Sequence, residues 1–382
     1  MGGKGSLTVA RVRGIPIRLH FTFLLILPYL AYVISKTTPS LSRLARVDPG
    51  GLALHPLLLG LILALGLFAC VLIHELAHVF VGLRGGAKVQ GVTLMIVGGV
   101  SEISEFPTRP AFEAAMAVAG PLTSLALGVL CGAGIGLVGP EQMPDLRFAL
   151  TYLAVMNLAL ALFNLIPAFP MDGGRILRAV LALVTNRVRA TRIASWVGQG
   201  FAVLFFGAGL YTLNWVLLLI GLLVIAGART EFEMVKSGSA LEGLVVAQAM
   251  ERFAPTVEAD DSLGQVLSRM ERELRPTYFV LERGALVGAI LATDARKADE
   301  NLVHARARDV MRTDLPRLRP DQDLASAARE LRASSMTSLP VVENGELVGA
   351  VSFSTIAALV RATEASKAAE RHPKIPRERE AT

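Results

Sequence analysis

Residues 52–83 read LALHPLLLGLILALGLFACVLIHELAHVFVGL, an apolar run long enough to cross a bilayer that places two histidines and a glutamate close together near its end, in His74-Glu75-Leu76-Ala77-His78. On a helix His74 and His78 lie four residues apart, so their imidazoles share one face and can share one metal, with the Glu75 carboxylate alongside. Ionisable groups at membrane depth are disfavoured by insertion energetics unless they do something there. The spacing is that of metal-assisted hydrolysis: a divalent metal activates a water and polarises a carbonyl, and a carboxylate beside it moves the proton.

The composition agrees with a membrane setting. Of 382 residues 53% are hydrophobic and 18% charged, and the apolar ones crowd into the first 230 positions. Apolar runs near Phe21–Ser35, Leu52–Leu83, Ala111–Val138 and Phe148–Leu165, with a fifth from Trp196 to Ala228, give the spans. The fifth is too long for one crossing, and Asn214 beside Trp215 offers a polar hairpin point, so six spans are expected. The stretch Met1–Pro16 has no small-residue cleavage site ahead of the first run and is expected to lead into an uncleaved helix. The net charge of +6 comes with no basic stripe interleaved with aromatics, which argues against nucleic acid. The basic residues follow topology instead. Lys4, Arg11, Arg13 and Arg18 precede the first span, Arg84, Lys88 and Arg109 follow the second, and Arg175, Arg178, Arg187, Arg189 and Arg192 follow the fourth. The opposite loops hold only Lys36, Arg43, Arg46 and Arg147, so both termini are expected on the cytoplasmic side of a cell membrane. Cys70 and Cys131 both lie in apolar runs and imply neither a disulfide framework nor a cysteine metal site.

A catalytic metal commonly takes three protein ligands and leaves one position for water. The third is sought at the same depth. Asp172 follows the fourth span in Asn164-Leu165-Ile166-Pro167-Ala168-Phe169-Pro170-Met171-Asp172-Gly173-Gly174, at the cytoplasmic end, and His74 lies nine residues, about 14 Å of helix, before the cytoplasmic end of the second. The competing reading makes Asp172 the cap of a helix from Gly174 to Val184. Residues 87–106 alternate around Val89–Ile96 and are interrupted by glycines, which suggests a β-hairpin dipping into the membrane, either structural or as an edge for an unwound substrate. His20 opens the first span and reads as an interfacial residue rather than a ligand, and His55, His304 and His372 have no partner pattern.

His74 to His78 together with Asn164 to Gly173 resembles the site-2 protease family of intramembrane metalloproteases, peptidase M50. The likeness spans roughly residues 10–236 and takes in Val97-Gly98-Gly99 and Ala119-Gly120-Pro121-Leu122. The resemblance implies one zinc per chain on His74, His78 and Asp172, Glu75 as acid and base, and Asn164 holding substrate backbone, against an interhelical hydrogen bond for that amide. It also implies an intramembrane endopeptidase acting on membrane-spanning proteins, among them single-span regulators of the anti-sigma-factor kind. The reading from another class is a non-enzymatic metal-binding transporter or channel.

The last 150 residues have ordinary soluble composition and an internal repeat at an offset of 61: Met250 with Met311, Pro255 with Pro316, and Leu286-Val287-Gly288-Ala289 with Leu347-Val348-Gly349-Ala350. Each unit reads as a helix (Leu263–Leu274; Leu324–Ser334), a strand (Tyr278–Leu281; Leu339–Val342), a Gly turn and a second strand. This repeat resembles a pair of cystathionine-β-synthase (CBS) domains, which implies an adenine-nucleotide site. The family's Gly, Ser/Thr, Asp pattern is divided here, Gly288 being followed by Leu291 and Asp294 and Gly349 by Ser352 and Thr355. Asp294 would hold a ribose, and dimerisation or gating of the membrane part is the alternative. The expected architecture is thus a polytopic α-helical membrane domain (1–236) and a small α/β CBS pair (245–301 and 306–363), then a disordered basic tail (364–382).

Overall fold

The computed structural model describes residues 5–96, 98–105, 109–299, 305–334 and 336–371, and the chain divides into two compact units, Met1–Val235 and Lys236–Thr382. The first unit opens with β1 (Ser6–Val12) and β2 (Ile15–His20), followed by α1 (Phe21–Ala45) and α2 (Pro56–Arg84). Next come β3 (Lys88–Met95) and β4 (Gly98–Glu105), then α3 (Pro110–Ile135) and α4 (Pro144–Asn164). The short α5 (Asp172–Ala182) precedes α6 (Arg187–Tyr211) and α7 (Trp215–Ala240).

Among the described residues six helices, α1 to α4, α6 and α7, are long and apolar enough to cross a membrane. The turn at Asn214 divides the long last run as its polarity suggested: the Asn214 Oδ1 accepts from the backbone N–H of Val216 and Leu217 and so starts α7. His20 and His55 also act as caps. Their Nδ1 atoms accept from the N–H of Thr22 and Leu57 at the first turns of α1 and α2. Cys70 and Cys131 are free thiols.

The segment that leads into the first helix has structure the sequence reading does not contain: Ser6–Val12 and Ile15–His20 form an antiparallel hairpin that ends where α1 begins, and β2 then pairs in parallel with β3. The 87–106 hairpin is thus the second half of a four-stranded sheet ordered β1-β2-β3-β4. The reason is packing: Ile15 and Val92 bury against Val79 of α2, and Leu94 against Phe23 of α1 and Phe68 of α2, so the apolar face of the sheet is covered by the first two spans. Val97 of the glycine-flanked element lies outside the described residues.

The second unit contains α8 (Val246–Ala249), β5 (Thr256–Glu258), α9 (Leu263–Glu273), β6 (Thr277–Glu282), β7 (Ala285–Leu291) and α10 (Ala292–Asp299). Its other half has α11 (Ala307–Val310), α12 (Leu324–Ala333), β8 (Ser338–Glu343), β9 (Glu346–Ser352) and α13 (Phe353–Arg371). The halves are interlocked by a pseudo-twofold exchange. Glu251, before the first half's sheet, trades both backbone hydrogen bonds with Ala350 of β9, and its counterpart Arg312 does the same with Ala289 of β7. Gly288 and Gly349 lie where these crossing segments, with Met311 and Met250, press closest, and a Cβ at either would collide with them. The basic end is also corrected: residues 364–371 belong to α13 rather than to a disordered tail, and residues 372–382, His372 among them, are outside the described residues, as is His304.

Candidate metal centre

His74 and His78 stand one turn apart on α2, 3% and 7% exposed. Opposite them α3 presents small buried residues, Gly120 and Ser124, which let the two helices approach closely. At Gly120 a Cβ would overlap both imidazole Nε2 atoms, so the bare helix backbone forms one wall of the centre. The same helix orients the rings. The His78 Nδ1 donates to the Met116 carbonyl at 2.7 Å, and the His74 Nδ1 lies 2.8 Å from the Ser124 hydroxyl. The proton of a neutral His78 is therefore on Nδ1, and its Nε2 carries a lone pair, as a metal ligand requires.

The loop after α4 turns back and brings in Asp172, 8% exposed. The N-cap of α5 is Met171, whose side chain makes no cap bond, and Asp172 is the first helical residue. The cap alternative fails on geometry, because the Asp172 Oδ2 points to the histidines, 3.1 Å from His78 Nε2 and 3.4 Å from His74 Nε2. The two Nε2 atoms are 3.1 Å apart. Tetrahedral zinc with bonds of about 2.0–2.1 Å holds its ligand atoms about 3.3 Å from one another, so these three atoms fit that ion. Glu75 also lies close, its nearest oxygen within 4.8 Å of the histidine nitrogens. Asp172 is the tighter third group, and the Glu75 Oε2 is taken by a hydrogen bond from the Ser101 hydroxyl at 2.7 Å.

Sequence reading missed Ser101 and Ser124. Each lies on an element remote in sequence from the histidines, and only the sheet and the α2–α3 crossing bring them in. Among the described residues Asn164 makes no hydrogen bond to another helix. Its Nδ2 donates to the Leu160 carbonyl at 3.0 Å within α4, which leaves its Oδ1 and one N–H uncommitted to that bond. In the second unit Asp294 pairs with Arg312 Nε at 2.7 Å, and Ser352 and Thr355 bond each other's backbone at the start of α13.

The sequence profile of peptidase family M50 matches residues 139–208, which include Asn164 and Asp172, and that of the CBS domain matches residues 246–301 and 307–362. A zinc metalloprotease of Methanocaldococcus jannaschii is 31% identical over 355 residues, 92% of this chain and 95% of that one. The chain belongs to peptidase family M50. It is a zinc metalloprotease of the site-2 type, a multi-pass membrane protein with a CBS pair. The solved site-2 protease of the same archaeon is 32% identical and covers 59% of this chain and 95% of its own length, with a TM-score of 0.42. Stage IV sporulation protein FB of Bacillus subtilis is 31% identical over 114 residues, 29% of this chain and 37% of that protein.

Proposed function

We propose that this M50 protein is an intramembrane endopeptidase that hydrolyses peptide bonds within the membrane-spanning segments of other proteins, single-span regulators among them. His74, His78 and Asp172 would hold one zinc per chain, and Glu75 would act as acid and base. The observation that carries the reading is the close triangle of His74 Nε2, His78 Nε2 and Asp172 Oδ2, built on helices apolar enough to span and with Glu75 beside it. Zinc bound there supplies Lewis acidity, activating water and polarising the scissile carbonyl.

Glu75 takes a proton from the attacking water and passes it to the departing amine. Ser101 holds one oxygen of that carboxylate and leaves Oε1 for the proton. β4, which carries Ser101, is the last strand of its sheet, and its open side offers backbone partners to an unwound substrate segment, alongside the base. The Oδ1 of Asn164 would take a substrate N–H. The distribution of basic residues supports cytoplasmic termini, and with them a cytoplasmic CBS pair in a regulatory role. Since Asp294, Ser352 and Thr355 already have local partners, gating or dimerisation is favoured over an adenine nucleotide as the working mode of that pair.

The test uses the full-length wild type, Glu75→Gln and Asp172→Asn in detergent, with zinc counted per chain and labelled single-span proteins as substrates. One zinc in the wild type, the same in Glu75→Gln with cleavage lowered at least about 10²-fold, and a loss of zinc in Asp172→Asn are expected. Cleavage indifferent to Glu75→Gln would refute Glu75 as acid and base, and no cleavage by the zinc-loaded wild type would favour a transporter or channel.

A further inference from the structure

Between α6 and α7 the protein has a cavity of about 450 Å³. Its floor is a direct bond between the two helices: the Ser195 hydroxyl donates to the Ala228 carbonyl at 3.1 Å, with both residues buried. Its walls carry Arg192 and Gln199 from α6 and Arg229 from α7. From residue 194 to the end of α6, and from the start of α7 to residue 228, there is no charged side chain. Charge begins at Arg192 and Arg229, so the cavity straddles the boundary between the apolar and polar lengths of both helices. Trp196, 64% exposed, stands at its rim, the place an amphipathic ring takes at a lipid–water interface.

The arginines here differ from their neighbours. Arg178 and Arg187, a short way off in sequence, are ion-paired with Glu113, and Arg178 also with Glu231. Among the described residues neither Arg192 nor Arg229 is in an ion pair, and Arg192 lies over the Phe232 ring at 5.5 Å to the centroid, a contact that consumes none of its N–H donors. Glu233 is the one carboxylate on the lining. Two guanidiniums and one carboxylate give the cavity a net charge of one positive unit, complementary to a singly charged phosphodiester rather than a doubly charged monoester.

We propose that this cavity seats the phosphodiester headgroup of an anionic phospholipid, with Arg192 and Arg229 on the phosphate oxygens, Gln199 beside them, and Glu233 accepting from a headgroup hydroxyl. A basic cavity between spanning helices at the polar boundary is where such headgroups are recognised. The position at the end of the apolar lengths commits the occupant to a lipid and not to a phosphate ester free in water.

The test places full-length protein in nanodiscs of phosphatidylcholine with a minor share of phosphatidylglycerol, transfers it to mild detergent, and counts retained lipids by native mass spectrometry. Wild type is expected to retain phosphatidylglycerol preferentially. Arg192→Gln and Arg229→Gln should each lower that preference about fivefold and the pair about 25-fold, while Arg189→Gln, on α6 but outside the cavity, should leave it unchanged. Glu233→Gln raises the positive charge of the cavity and should retain the lipid at least as well, so support does not depend on loss variants alone. Zinc content and melting temperature establish that each variant is folded. The proposal is overturned if the double variant keeps the preference, if Arg189→Gln loses as much, or if glycerol phosphate in solution displaces the lipid.

Discussion

Ser124 touches no substrate, yet its hydroxyl is the only side chain within hydrogen-bond reach of the His74 Nδ1 among the described residues. Removing such a partner frees the ring to rotate and lowers ligand basicity, so Ser124→Ala is expected to weaken zinc binding about 10–100-fold, measured by competition with a chelating dye. Ser101→Ala should separate from it: zinc affinity unchanged, kcat lowered about tenfold, KM little moved, because the bond it removes is to Glu75 and not to a ligand. A fall in zinc affinity in Ser101→Ala, or none in Ser124→Ala, would reverse these assignments. The paired histidines, Glu75 and Asp172 were legible in the sequence because their chemistry is written in local spacing and in depth. Ser101, Ser124 and the Met116 carbonyl were not, since nothing near them in sequence marks a serine or a main-chain oxygen as part of a metal centre. Gly120 was visible only as part of a family element, and its reason, the missing Cβ against two imidazoles, needs the α2–α3 crossing.

At the scale of elements, α5 is held by charge. Arg178, 2% exposed, pairs with Glu113 of α3 at 2.5 Å and with Glu231 of α7, and stacks over Phe169 of the loop before α5. Replacing one partner strands the others in a low-dielectric site, so Arg178→Met should destabilise the membrane unit by about 3–5 kcal/mol. Glu113→Gln added to Arg178→Met should recover part of that loss, as read by denaturant titration in detergent. No recovery would mean the pair acts through packing alone. In the sequence alone Arg178 reads as a topology signal and Arg147 as part of a loop on the other side. In the folded protein Arg147 also closes the ends of α1 and α3, its Nε donating to the Ala45 carbonyl at 2.8 Å and its Nη1 to those of Ile135 and Val138. The six spans and the Asn214 turn followed from length and polarity. β1 and β2 did not, because Arg11, Arg13 and Arg18 mask the alternation, and because β2 finds its partner β3 only after two spans have intervened.

For the molecule as a whole, the offset of 61 foretold two similar halves but not their exchange. Since the Glu251–Ala350 and Arg312–Ala289 pairings each join one half to the other, neither half can complete its sheet alone. Gly349→Val, which sets a branched side chain against Glu251 and Met250, is expected to unfold the whole second unit rather than one half, seen as simultaneous loss of protease resistance across residues 245–362 with zinc content intact. Resistance confined to one half would contradict the interlock. Glu251 also adds a pH dependence. Its bidentate bond from Arg275, at 2.6 and 2.7 Å, holds its carboxyl below the usual glutamate range, so the stability it contributes is present above that range and is lost as the pH falls through its lowered folded value. The melting-temperature gap between wild type and Glu251→Gln should therefore close on acidification below about pH 4.

The exchange also sets an order of events during synthesis. The Ala289–Arg312 pairing closes a short stretch of chain and can form while the ribosome is still making the second half, whereas Glu251 must wait for Ala350, nearly the last of the module to emerge. Until then Phe279, Leu286 and Leu291, which bury in one cluster with Leu339, Val341 and Val351 of the other half, stand half-covered, and a nascent chain stalled before Ala350 presents an unfinished sheet to chaperones and proteases.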